Sequence, residues 1–273
     1  MNSAPPPADP FDVTEDAALG GRLRLKQLRR GHRFGHDAVL LAAAVDAQPG
    51  EHVVEFGAGV GFAGLAVALR APGARAMLLD VDPALVALAA ENAARNGMGD
   101  RVRAAVLDVG APAVAWTAAG LPPACADRVL MNPPFHDQEG AQASPDAARA
   151  RAHVGPRSTL TTWTATAARL LVPAGTLALI WRADGLADVL AALVPRFGGI
   201  SVVPIYPRPD SAAIRIVATG AKGSRAPLQF LPGLVLNGHD GRPTPEAEAV
   251  LRDGALLREA ILSKRPARLR PFP

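Results

Sequence analysis

The chain is poor in several residue types, and each scarcity narrows what it can be. Cys125 is the only cysteine in 273 residues, which rules out an internal disulfide and any metal site built from several cysteines, and suits a reducing, cytoplasmic compartment. Histidine offers no metal set either: His32 and His36 lie in a basic, glycine-containing segment, and His52, His136, His153 and His239 are scattered, so no metal is expected. Aromatic residues make up 4% of the chain, too few for a broad base-stacking platform. No apolar run is long enough to span a bilayer, so no membrane partner is expected. The Pro-rich segment from Met1 to Asp16 has neither the basic stretch nor the apolar stretch of a secretion signal.

Charge of one sign is missing segment by segment. Residues 1 to 21 hold four acids and no Lys or Arg, and are expected to form a disordered tail. Residues 22 to 36 hold six basic residues, Arg22, Arg24, Lys26, Arg29, Arg30 and Arg33, and no acid. Arg22, Arg24 and Lys26 alternate with Leu23 and Leu25, which puts the cations on one face of a strand and the leucines on the other. The pattern predicts a basic strip on a half-buried hairpin, with Arg29-Arg30-Gly31 near its turn. A second basic group comprises Arg149, Arg151, His153 and Arg157, and a third ends the chain at Lys264, Arg265, Arg268 and Arg270. Such groups bind phosphate backbones. The alternative is a solvated surface, since 26 Arg against three Lys is a compositional bias and the net charge is only +4.

What is present in quantity is apolar residue, at 49%, enough to bury the core of one α/β domain with decorations. His52 to Phe56 read as a short buried strand running into Gly57-Ala58-Gly59-Val60-Gly61 and then into a helical pattern. Glycines there let backbone approach a ligand at a helix N-terminus. A dinucleotide fingerprint needs glycine where this chain has Phe62, so a seat for a pyrophosphate is not indicated. A second strand, Ala76 to Leu79, ends in Asp80, placed to accept the ribose hydroxyls of a nucleoside cofactor. Asp82-Pro83 reads as the N-cap and first residue of the next helix, which gives Asp82 a structural role. A third strand, Val102 to Leu107, delivers Asp108, placed to accept an adenine amino group. Glu55, inside the strand that leads to the glycines, is expected to face the cofactor's amine.

Asn132-Pro133-Pro134-Phe135 follows the apolar run Val129-Leu130-Met131. An exocyclic amine is a poor nucleophile because its lone pair is delocalised into the ring. It improves when acceptors hold its two N–H bonds, and the Asn132 side-chain oxygen and the Pro133 carbonyl are candidates. Two prolines fix φ and present carbonyls in a stiff frame, and Phe135 can stack on the ring. A strand-ending turn with a buried Phe is the other reading.

These motifs in this order resemble the class I N6-adenine methyltransferases of the bacterial tRNA1(Val) adenine-37 type, within the Asn-Pro-Pro group that includes the release-factor glutamine N5-methyltransferases. The resemblance covers about residues 22 to 252 and rests on Glu55, Gly57, Gly59, Gly61, Asp80, Asp108 and the loop from Asn132 to Phe135. Arg33 to Leu41 and Pro204 to Pro209 also look like that family, with His36 standing where many relatives carry Thr. Asp37 opens an apolar helix, Ala38 to Val45, either as its N-cap or as a cofactor contact. The resemblance implies S-adenosylmethionine as cofactor, a Rossmann-like fold and a tRNA anticodon-loop adenine as substrate. A glutamine N5-methyltransferase and a non-catalytic S-adenosylmethionine-binding RNA module are the alternatives.

Strands and helices alternate through the second half: helix Leu160 to Leu171, strand Thr176 to Trp181, helix Leu186 to Leu193, strand Ser201 to Ile205, strand Ala213 to Ala218. The last two are joined by a Pro-rich loop too short for a crossover helix, so they should be antiparallel. The expected architecture is a doubly wound, seven-stranded class I methyltransferase sheet with an antiparallel last strand. It would occupy residues 22 to 220 with the basic hairpin, and residues 221 to 273 would form a C-terminal extension with a helix at Pro245 to Leu251.

Overall fold

Neighbouring residues on the central strands face opposite ways. Val53, Leu78 and Leu130 enter one hydrophobic cluster, and Val54, Leu79 and Met131 enter the other. That period of two, in strands apolar at nearly every position, means a sheet covered on both faces. The computed structural model describes residues 12–29, 33–134 and 156–263.

Five strands run parallel: β3 (His52–Phe56), β4 (Arg75–Asp80), β5 (Val102–Val106), β6 (Ala126–Met131) and β7 (Leu171–Arg182). Their spatial order is β5-β4-β3-β6-β7, so the chain reverses direction of travel across the sheet between β3 and β6. Beyond β7 lies β9 (Arg215–Lys222), antiparallel both to β7 and to β8 (Phe197–Tyr206) on its other side. The antiparallel pair is therefore as the short loop requires.

Among the described residues the sheet has nine strands, two more than expected. β10 (Gln229–Phe230) and β11 (Leu234–Val235) both pair parallel with β8. They come from the segment read as an extension, and Leu234 is fully inside the first cluster. That segment extends the sheet edge, burying Leu234 while Leu228 and Phe230 stay exposed.

The first cluster is roofed by α1 (His36–Ala43), α2 (Phe62–Arg70) and α3 (Pro83–Arg95), joined by α7 (Pro245–Leu251) and α8 (Leu257–Leu262). The second is roofed by α4 (Ala113–Ala118), α5 (Pro156–Leu170) and α6 (Leu186–Leu193). Asp82 caps α3 by accepting from the Ala84 N–H at 2.8 Å, with Pro83 as first helical residue.

The N-terminal hairpin differs from its reading in two ways. Its first strand, β1 (Val13–Ala18), lies within the segment read as a tail, and pairs with β2 (Leu23–Leu28) from Val13↔Leu28 to Ala18↔Leu23. The turn is then Leu19-Gly20-Gly21, all three at positive φ (51°, 66° and 85°), and Arg29 follows the far end of β2, while Arg30 and Gly31 lie outside the described residues. Two adjacent glycines supply the left-handed turn that an Arg-Arg pair does not. Glu15, opposite Lys26 in register, pairs with Arg95 of α3 at 2.6 Å, and Lys26 pairs with Glu91, so both strands of the hairpin are tied to that helix.

Candidate active site

The strand registers bring the motifs together. Phe56 pairs with Leu79 on one side and with Met131 on the other. The next residues on the three strands, Asp80, Gly57 and Asn132, therefore leave the sheet side by side at its carboxyl edge. Adjacent strands lie roughly 5 Å apart, and β3 and β6 flank the switch point where open α/β sheets bind ligands.

The glycine loop divides by function. Gly61 (φ 88°) is the N-cap of α2, and a Cβ there would come within 2.8 Å of Leu78 and 3.2 Å of Ala89. Gly57 (φ 63°) faces Trp163 of α5, whose ring edge is 2.9 Å from where its Cβ would be. Gly59 (φ 55°) has nothing within 4 Å of its missing Cβ. Its positive φ favours glycine, and among the described residues no neighbour fills the space beside it, so the backbone is open to a ligand there.

The carboxylates hold this loop. The Gly59 N–H donates to Asp80 Oδ2 at 2.8 Å, and the Asp82 N–H donates to Asp80 Oδ1 at 3.0 Å. Asp108 lies two residues beyond the end of β5, exposed, with Oδ1 accepting from the Gly110 N–H at 2.7 Å. Val81 and Val106 beside these acids are 46% and 52% exposed. Two uncovered valines flanked by carboxylates, next to an open glycine, suit a nucleoside whose base is apolar on its faces and polar at its edge.

Glu55 points elsewhere than expected. It is 5% exposed, and its Oε2 accepts from the Gly64 N–H in the first turn of α2 at 2.7 Å. Because Gly61 has no side chain to cap that helix, the buried carboxyl of β3 takes the role. Burial, together with the charge of Asp80, pushes Glu55 up to about 8, against the one lowering influence of the Gly64 N–H.

On the acceptor side, Asn132 is half-buried, Pro133 buried and Pro134 exposed. Asn132 Oδ1 is itself buried and has no hydrogen-bond partner among the described residues. Native structures rarely leave a buried amide oxygen unused. Phe135 lies outside the described residues, as do Arg30, Arg149 and Arg151.

Asp37 sits in the first turn of α1, whose N-cap is Gly35, so it is not the N-cap. Its carboxylate pairs with Arg215 at the start of β9, at 2.9 Å. The basic strip is largely partnered inside the protein. Arg29 pairs with Asp12, Arg33 with Asp16, and Lys26 with Glu91. Arg22 donates to the carbonyls of Leu19 and Asp253. Arg24 is exposed.

Three residues that position the site were not singled out from sequence. Trp163 meets Phe56 edge to face at 6.0 Å and walls the crevice at Gly57. Asn92 is fully buried and bonds the Val60 carbonyl of the glycine loop at 3.0 Å. Gln27, 2% exposed, accepts the Phe34 N–H at 3.2 Å. The last two had a signal: Asn92 interrupts the apolar stripe Leu88, Ala89 and Ala93, and Gln27 follows Leu23 and Leu25 on the inner face of β2.

A doubly wound sheet whose switch point is flanked by an open glycine loop, two strand-end acids and an Asn-Pro-Pro loop defines a Rossmann-like class I methyltransferase. Residues 32–203 match the methyltransferase small domain family, and the chain belongs to it, with S-adenosylmethionine as cofactor. Among solved structures, a protein of Agrobacterium tumefaciens described as a predicted O-methyltransferase is 30% identical, with a TM-score of 0.68 over 80% of this chain and 97% of that one. A tRNA1(Val) (adenine(37)-N6)-methyltransferase of Porphyromonas gingivalis is 30% identical over 62% of this chain and 66% of its own length. A ribosomal RNA small subunit methyltransferase C of Pseudomonas aeruginosa is 35% identical over 38% of this chain. The chain thus spans 66% and 28% of these two relatives' lengths. Among the described residues no helix is long and apolar enough to cross a membrane, and no group of three or more His, Cys, Asp or Glu is placed to hold a metal ion.

Proposed function

We propose that the protein transfers a methyl group from S-adenosylmethionine to N6 of an adenine in RNA, with a tRNA anticodon-loop adenine as the substrate. The observation that carries this reading is the buried Asn132 Oδ1, without a partner among the described residues, at the end of the strand beside the glycine loop. An acceptor kept dry and unused is matched by a ligand that brings an N–H. The bound cofactor supplies a methyl group already activated by its sulfonium charge. Asn132 holds one N–H of the amine and the Pro133 carbonyl the other, which turns the nitrogen lone pair toward the methyl carbon. Phe135 supports the ring. Most of the rate then comes from orientation, and no strong general base is needed.

On the cofactor side, Asp80 takes the ribose, Asp108 the adenine edge, and Gly57, Gly59 and Gly61 let the backbone close on the ligand, with Glu55 and Asp37 supporting the loop and the mouth. An adenine must leave its stack to reach Asn132, at a cost of a few kcal/mol that is smallest in a single-stranded loop. RNA as substrate is favoured by relatives that act on tRNA and rRNA. Phosphate contact falls to Arg24 together with Arg22, Lys26, Arg29, Arg30, Arg33, Arg149 and Arg151, several of which must then share or exchange an internal partner.

The test is mass spectrometry of modified nucleosides in total tRNA and rRNA from cells with and without the protein. Loss of N6-methyladenosine at one position is expected, restored by the purified protein with S-adenosylmethionine. Unchanged N6-methyladenosine, with loss of a ribose-methylated or other nucleoside instead, overturns the assignment.

A further inference from the structure

Two asparagines, Asn92 on α3 and Asn96 at its C-cap, bind a strand they do not belong to. Asn92 Oδ1 accepts the Lys26 N–H at 2.7 Å, and its Nδ2 donates to the Lys26 carbonyl at 2.9 Å. One turn later, Asn96 Oδ1 accepts the Arg24 N–H at 3.0 Å, and its Nδ2 donates to the Arg24 carbonyl at 2.7 Å. Residues four apart on a helix are stacked on one face, and alternate residues of a strand present their N–H and C=O to the same side. The two amides therefore act as a second edge for β2, opposite β1.

The two differ in one respect. Asn92 has a further donor hydrogen, which goes to the Val60 carbonyl inside the glycine loop at 3.0 Å, in a site with no exposure at all. The remaining donor of Asn96 goes instead to the Asn92 carbonyl at 2.8 Å. A second path runs from the same strand. Gln27, anchored to Asp16 at 2.8 Å, accepts the Phe34 N–H, and the Phe34 ring stacks on Phe62 at 4.5 Å with 12° between planes. Phe62 is the first helical residue after Gly61. The glycine loop is thus held before and at its exit by groups that β2 positions.

We infer that Asn92 is a positioning residue that couples the N-terminal hairpin to the cofactor loop: seating of β2 and binding of S-adenosylmethionine reinforce each other through its side-chain amide. This rests on the reading that the loop binds that cofactor. Coupling of this kind is reciprocal, so it is visible from either end.

The experiment uses the full-length protein with S-adenosylhomocysteine, the demethylated cofactor, as probe. Calorimetry on Asn92→Ala should show affinity reduced by at least about fivefold, the low end for coupled sites. Asn96→Ala, which loses the same kind of contact to β2 but none to the loop, should stay within about twofold of the parent. Hydrogen exchange on the unsubstituted protein adds a readout that does not depend on a variant folding. Saturation with the probe should slow exchange of the Lys26 amide, which joins the glycine loop through Asn92. That protection should persist in Asn96→Ala and vanish in Asn92→Ala. Equal affinities for both variants and the parent, or a Lys26 amide indifferent to the probe, overturns the inference and leaves the cofactor reading standing. A parent protein that fails to bind the probe overturns both.

Discussion

The two halves of the crevice sit on neighbouring strands and differ in how fully their polar groups are used. On the cofactor half, Glu55, Asp80 and Asp108 each accept a backbone N–H of their own chain. On the acceptor half, Asn132 keeps a buried oxygen with no partner among the described residues. The cofactor half is therefore built before any ligand arrives, which lowers the ordering cost of binding. The acceptor half leaves a bond unmade among the described residues, worth roughly 1–3 kcal/mol for a desolvated group, which on the proposed reading the substrate's N–H makes.

The comparison breaks first at Gly59. Asparagine tolerates its positive φ better than most residues, and the space around it is open, so Gly59→Asn should fold. Its side chain occupies the cofactor's place, and calorimetry should find binding lost. Gly61→Asn, which meets Leu78 and Ala89, should lose the fold instead, read as loss of a cooperative melt. Next in size is Asp80→Ala, which should weaken S-adenosylmethionine binding by roughly 1–3 kcal/mol, the scale for a hydrogen bond to a charged group. Unchanged affinity would move the ribose site elsewhere.

A smaller effect sharpens the contrast through pH. Glu55 is raised to about 8 by burial and the Asp80 charge. The folded protein therefore keeps a proton that the unfolded chain releases above about 4.5. That contribution to stability is full below about 4.5 and declines until about 8. Glu55→Gln stays neutral and can still accept the Gly64 N–H, so its melting temperature should fall less across this window than the parent's. Parallel curves would mean that Glu55 is ionised throughout. The smallest effect concerns the basic strip. If it contacts phosphates, replacing Arg24 and Arg29 should flatten the salt dependence of RNA binding by about 1 to 2 units. An unchanged slope would leave the cations to their internal acids.

Much of this site was legible because its motifs sit at strand ends, where type and position are both informative. Gly57 to Gly61, Asp80 and Asn132 could be placed in one crevice from strand order alone, and Asp82-Pro83 announced its helix. What was not legible depends on partners far apart in sequence. β1 was hidden in a Pro-rich, acidic segment because its partners, β2 beside it and Arg95 on α3, lie elsewhere in the sequence. β10 and β11 are too short to show a period, and exist because β8 offers an edge. Asp37 could be read as an N-cap or as a cofactor contact, and only the fold shows it facing Arg215. Asn92 and Gln27 stood as polar interruptions of apolar faces, a signal that marks a buried hydrogen bond but not its partner.

The difference between the halves is tested most directly by Asn132→Ala, measured for cofactor affinity by calorimetry and for methyl transfer to RNA from cells lacking the protein. The unpartnered oxygen predicts that affinity stays within about twofold while transfer falls by roughly 100-fold or more, the scale for one positioned transition-state contact. Near-normal transfer, or a loss of affinity as large as the loss of transfer, would contradict an amine-holding role for the loop.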